Sequence, residues 1–131
     1  MVIRLWAGAI MGLSLGFATA RGADGDAARG RAIVQDRALS ACLLCHAGPF
    51  PASHPQGTIG PGLDGVGSRL TREAIRQRLI DPARVNPDTV MPAYGRIEGL
   101  NRVGAAWRGR PILTDQQIED VTAFLTTLRA P

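Results

Sequence analysis

The sequence predicts an all-α domain, three or more helices and long loops wrapped around a non-protein centre, and three observations carry that prediction. Helical periodicity is confined to separated stretches, with no βαβ alternation and no internal repeat. The stretches between them are rich in Gly and Pro and exceed the ~12–15 residues at which a structureless connection becomes unusual. Finally, 131 residues that are 45% hydrophobic but only 5% aromatic make a thin core, and small domains of that kind commonly lean on a disulfide, a metal or a cofactor. A large, flat, apolar group would give the loops a surface to fold on.

The elements follow in chain order. Met1–Arg4 carries one positive charge, Leu5–Ala18 is an uncharged apolar run, and Ala18–Ala20 is a small-x-small cleavage signal, the pattern of a secretory signal peptide over residues 1–20. An uncleaved membrane anchor is the alternative, but the run is shorter than the ~18–20 residues that span a hydrocarbon core. Residues 21–131 are then a single exported domain, expected in the periplasm. Its charge is mildly basic: the whole chain carries +4, and cleavage removes Arg4. The 15 basic residues are all Arg and are scattered among 11 acids, without the clustered stripe that nucleic acid requires.

A first helix is predicted from about Asp26 to the vicinity of the cysteines, because a polar lead gives way to a run rich in Ala, Ile, Val and Leu. Residues 47–68 read as a long loop of Gly, Pro and Ser. The next helix starts after Thr71 as N-cap, places Ile75, Leu79 and Ile80 on one side, and stops at Asp81-Pro82. Residues 82–95 are expected to be extended and punctuated by Pro, and residues 96–112 show no clear period. The final helix has the firmest signature, with Thr114 and Gln117 spaced as a capping box and Ile118, Val121, Phe124, Leu125 and Leu128 on one face.

The chemistry is concentrated in Ser40–Gly48, SACLLCHAG, which holds both cysteines of the chain, Cys42 and Cys45, with His46 directly after the second. A thioredoxin-like dithiol needs a βαβ setting that is missing here. A disulfide across so short a loop gains little. Zinc could draw on Cys42, Cys45, His46 and His54, although the adjacent Cys45 and His46 would struggle to meet one tetrahedral ion. Covalent haem uses every feature: each thiol adds to a vinyl group and the adjacent imidazole takes the iron. The zinc and dithiol readings stand as its alternatives.

Beyond the leader, Met91 is the only methionine. It lies in an extended segment stiffened by Pro92, able to present its sulfur to a metal, and is the expected sixth ligand; filling a core gap is its other role. His54 competes, but it sits in a Pro-bracketed loop close after His46 and reads better as an ordinary loop histidine. A His/Met pair would raise the reduction potential and occupy both axial positions, which favours electron transfer over small-molecule chemistry. The second ring nitrogen of His46 needs an acceptor, for which a backbone carbonyl such as that of Pro61 would serve. Leu63 is expected either at the cofactor or in the core.

These residues carry a resemblance. CLLCH, the GPGL loop, IDPARVNPDTVMPAY and the closing amphipathic helix resemble a class I cytochrome c over the whole domain. The resemblance implies Cys42 and Cys45 as thioether anchors, His46 and Met91 as axial ligands, the Pro61 carbonyl as partner of His46, and first and last helices crossing beside the haem. The stretch between Met91 and the last helix, with MPAY, GLNRV and GRPILTDQQIEDV, is longer than in ordinary small cytochromes, and together with GTIGPGL it is similar to the SoxX family, monohaem subunits of SoxAX complexes in bacterial thiosulfate oxidation. That similarity implies a heterodimer with a haem-bearing SoxA subunit, which oxidatively joins thiosulfate to a carrier protein's cysteine, and a soluble cytochrome as electron acceptor. The S-thiosulfotransferase chemistry would belong to the partner, and no Ser/His/Asp arrangement supports catalysis by this chain alone. A free-standing periplasmic carrier cytochrome is the second function considered. Trp107, among Arg96, Arg102, Arg108 and Arg110, is expected to dock a partner or to pack over a haem edge with arginines near the propionates; Tyr94 is left undecided between such roles.

Overall fold

Asp26 is the N-cap of the first helix among the described residues. Its carboxylate accepts from the Arg29 N–H at 2.8 Å, caps the first turn of α1 (Ala27–Gln35) and leaves Ile33 and Val34 on the buried face. The computed structural model describes residues 24–130, so the predicted leader over residues 1–20 lies outside the described residues. The remaining helices are α2 (Cys42–Cys45), α3 (Val66–Arg69), α4 (Arg72–Ile80) and α5 (Asp115–Thr127), with short 3-10 turns at Pro82–Arg84 and Ala105–Trp107. No strand occurs among the described residues, so the fold is all-α as expected. No helix among them is long and apolar enough to cross a membrane.

Helix α5 is the hub and packs against α1, α3 and α4. The Thr114 hydroxyl accepts from the Gln117 N–H and the Gln117 side chain accepts from the Thr114 N–H at 2.9 Å, the reciprocal cap that the sequence predicted. Its apolar face buries Ile118, Val121, Phe124 and Leu125, whereas Leu128 falls just past the helix end and is partly buried. Each fully buried aliphatic of this set is worth about 1.5–3 kcal/mol relative to exposure. Helix α1 crosses α5 at Gly30, where a β-carbon would collide with the Asp120 carbonyl, so only glycine permits the approach. The crossing is tied by charge: the Arg29 guanidinium donates to both oxygens of Asp120 at 2.8 and 2.9 Å, and the Asp26 N–H donates to the same carboxylate at 2.8 Å. Those donors hold the buried Asp120 carboxyl down at about 2.

Three boundaries differ from the sequence reading. Helix α1 stops at Gln35 instead of reaching the cysteines, because the Asp36 carboxylate turns back to accept from the Ala38 and Leu39 N–H groups and Ala41 follows in a left-handed conformation, φ 55°. The loop over 47–68 ends in the short helix α3, whose first residue, Val66, is buried. Pro82, read as extended chain, opens a 3-10 turn instead. By contrast α4 starts on Thr71 and ends at Asp81 as predicted, with Ile75 and Leu79 buried.

Candidate functional site

The Cys-x-x-Cys-His segment is held in place by the loop that follows it. Gly57 N–H donates to the Leu43 carbonyl at 2.9 Å, Gly60 N–H to that of Cys45 at 2.8 Å, and Leu63 N–H to that of Ala47 at 2.7 Å. These bonds zip the GTIGPGL stretch alongside the motif without forming a sheet. They bring the Pro61 carbonyl within 2.7 Å of His46 Nδ1. A carbonyl can only accept, so Nδ1 carries the proton and the lone pair stays on Nε2, the state a metal-binding imidazole needs. A β-carbon at Gly60 would collide with the His46 ring, so glycine there decides where the imidazole can lie.

Cys42, Cys45 and His46 line one wall of a cleft of about 1180 Å³, and Met91 lines the same cleft. Pro61 and Leu63 also border it, and Leu63 is at the same time part of the buried core. Burial pushes the Cys42 thiol up from its ordinary value, hydrogen bonding notwithstanding, which keeps it neutral. Among the described residues both cysteines are free thiols and no cluster of three or more His, Cys, Asp or Glu could hold a metal ion, which leaves the zinc reading without a site there. His54 does not reach the cleft; its Nδ1 lies 3.4 Å from the neighbouring Ser53 hydroxyl.

The region after Met91 contributes the rest of the wall. Tyr94 is buried and its hydroxyl donates to the Ser40 carbonyl at 2.6 Å. The Leu113 N–H donates to the Tyr94 carbonyl at 3.0 Å, closing the neck of the insertion that carries Trp107. Trp107 borders the cleft yet stays 46% exposed, with the Arg110 guanidinium 5.9 Å from its ring centre. Both expectations for that indole are therefore geometrically open to it. Arg96 lines the cleft too and pairs with the buried Asp81 carboxylate at 3.4 Å, while its Nε is buried without a partner.

The helical crossing, the zipped motif and the apolar cleft define a small all-α protein built around a site for a large apolar group, and the chain belongs to the cytochrome c family, whose pattern matches residues 27–129. Among solved structures it is similar to a chain of SoxXA from P. pantotrophus, at 38% identity and a TM-score of 0.76, over 83% of this chain and 85% of that one. A comparison with curated proteins found no match. Membership of the family makes the prosthetic group one covalently bound haem c. The residues present suit it: two thiols and an imidazole whose Nδ1 is held by the Pro61 carbonyl line one apolar cleft.

Proposed function

We propose that this chain is the electron-accepting monohaem subunit of a SoxAX-type complex, exported to the periplasm after loss of residues 1–20. The single observation that carries the reading is the 38% identity to a SoxXA chain over most of both chains. In that role Cys42 and Cys45 would be the thioether anchors of the haem, joined by addition of each S–H to a vinyl group with no net oxidation. His46 and Met91 would hold the iron, with the Pro61 carbonyl accepting from His46 Nδ1. Leu63, Ile75 and Leu79 keep water off one wall. When bound, the haem supplies one-electron chemistry, at a potential raised by thioether ligation.

The partner is a haem-bearing SoxA-like subunit. Joining thiosulfate to a carrier cysteine makes one S–S bond and releases two electrons and the thiol proton, so that reaction needs an acceptor. This subunit takes the electrons singly and hands them to a soluble cytochrome. The test is purification of the tagged chain from periplasm at physiological salt, with intact mass and a pyridine haemochrome spectrum on everything recovered. One haem added to this chain, a cleaved leader and a second haem protein in stoichiometric amount are expected. Recovery of the holo-chain alone would replace this reading with a free-standing carrier, and a bare peptide mass would end both.

A further inference from the structure

We propose that Tyr94 is a positioning residue whose phenol pins the methionine-bearing strap to the cysteine segment and so controls how readily Met91 can be displaced from the metal; this rests on the reading of Met91 as a ligand. The hydrogen bonds of residues 85–93 are all local: Val85 and Asn86 donate to Pro82, Thr89 to Asn86, Asp88 to the Asn86 side chain, and Met91 to the Thr89 hydroxyl at 3.1 Å. Val90, beside the methionine, is 82% exposed. The strap therefore has little of its own to hold it over the cleft.

The first long-range tether after Met91 is Tyr94, and it is tied through both main chain and side chain. Its N–H donates to the Leu79 carbonyl at the end of α4 at 3.0 Å, its carbonyl accepts from Leu113, and its buried hydroxyl donates to the Ser40 carbonyl at 2.6 Å. Ser40 precedes Ala41, whose left-handed backbone is unfavourable for a residue with a β-carbon, and Ala41 precedes Cys42, whose sulfur lies 4.0 Å from the same phenol oxygen. One hydroxyl thus couples the strap's far end to the backbone that aims the first thiol. Moving Met91 out of the cleft swings the strap about its ends, the Pro82 turn and Tyr94, and the phenol resists movement of the second.

The experiment is imidazole titration of the oxidised holoprotein, followed by loss of the sulfur-to-iron charge-transfer band. Tyr94→Phe keeps the ring in the core and removes only the hydroxyl, and is expected to bind imidazole about fivefold more tightly, the consequence of losing one buried hydrogen bond from the closed state alone. Ser40→Ala is the control for mere destabilisation. It deletes the buried bond from the Ser40 hydroxyl to the Ile33 carbonyl, 2.6 Å, but keeps the carbonyl that Tyr94 uses, so Tm should fall while imidazole affinity stays within about twofold of the parent. Unchanged affinity in Tyr94→Phe, or an equal gain in Ser40→Ala, overturns the pin. A parent protein without the band, whose spectrum Met91→Ala leaves unaltered, overturns the ligand assignment and the pin with it, and is told apart from the first failure by the parent spectrum.

Discussion

The corner where α1 crosses α5 and the strap side that runs from the Pro82 turn to Leu113 are built on opposite principles. At the corner, Val34, Ile118 and Val121 are at most 1% exposed, glycine lets two backbones touch, and a buried carboxylate is satisfied by donors from three residues, Asp26, Arg29 and Gln116. On the strap side Val85, Val90, Ile97 and Trp107 are all more than 40% exposed, and the only helical structure is two single 3-10 turns. The corner is stable by its own contacts. Val85, Val90 and Trp107 border the cleft, so this side has apolar surface that its own contacts leave uncovered. A small domain can thus keep a rigid half and leave the functional half to be completed by what it binds.

Removing the anchors tests that division most severely. Cys42→Ala with Cys45→Ala should abolish covalent haem, seen as loss of the added mass, and expose the strap to proteolysis first; protection of residues 85–112 in that variant would refute the idea that the cofactor orders them. Met91→Ala should keep the covalent haem, abolish the sulfur-to-iron band and lower the potential on the order of 100 mV, within the roughly 0.8 V that axial ligands command. An unaltered potential removes Met91 from the ligand set.

Smaller effects are expected at the corner, and they should leave the haem spectrum alone. Gly30→Val forces a side chain into the Asp120 carbonyl and should cost about 2–3 kcal/mol by chemical denaturation, with the holoprotein's imidazole affinity unchanged. The Asp120 ion pair makes stability depend on pH. Its carboxyl is lowered from 3.8 to about 2 by Arg29, so its contribution is present above the unfolded value near 4 and is lost as pH falls toward 2. Arg29 is half exposed and solvent screens the pair, so about 1–2 kcal/mol is expected to disappear in that window, and Asp120→Asn should flatten the profile there. Thr114→Ala, which removes the cap of α5, should cost about 1 kcal/mol.

Legibility in the sequence followed the range of the interaction. The Thr114 and Gln117 box, the Thr71 cap and the Asp26 start are contacts across three residues, and each was readable because its chemistry is complete within one turn. The early end of α1 was readable in principle, since Asp36 followed by a turn is an Asx signature, but the continuing apolar run through Leu39 outweighed it. Gly30 was missed although it stands on the same face as Ile33 and Val34; a glycine at an apolar position of a helix signals a close neighbour. Nothing local marked Arg29 as the partner of Asp120, or the Tyr94 phenol as the donor to Ser40, because those partners lie 91 and 54 residues apart.

The amino-acid sequence by itself determined the fold class, the place of the Cys-x-x-Cys-His motif and the family, because spacing, periodicity and capping act over a few residues and survive without a third dimension. Only the tertiary structure decided that GTIGPGL zips onto the motif, that the Pro61 carbonyl accepts from His46 Nδ1, and that Met91 shares a cleft with Cys42, Cys45 and His46. The reason is physical: those relations depend on which distant backbones can approach closely, and that is settled by steric exclusion at glycines such as Gly30 and Gly60 after the helices have packed.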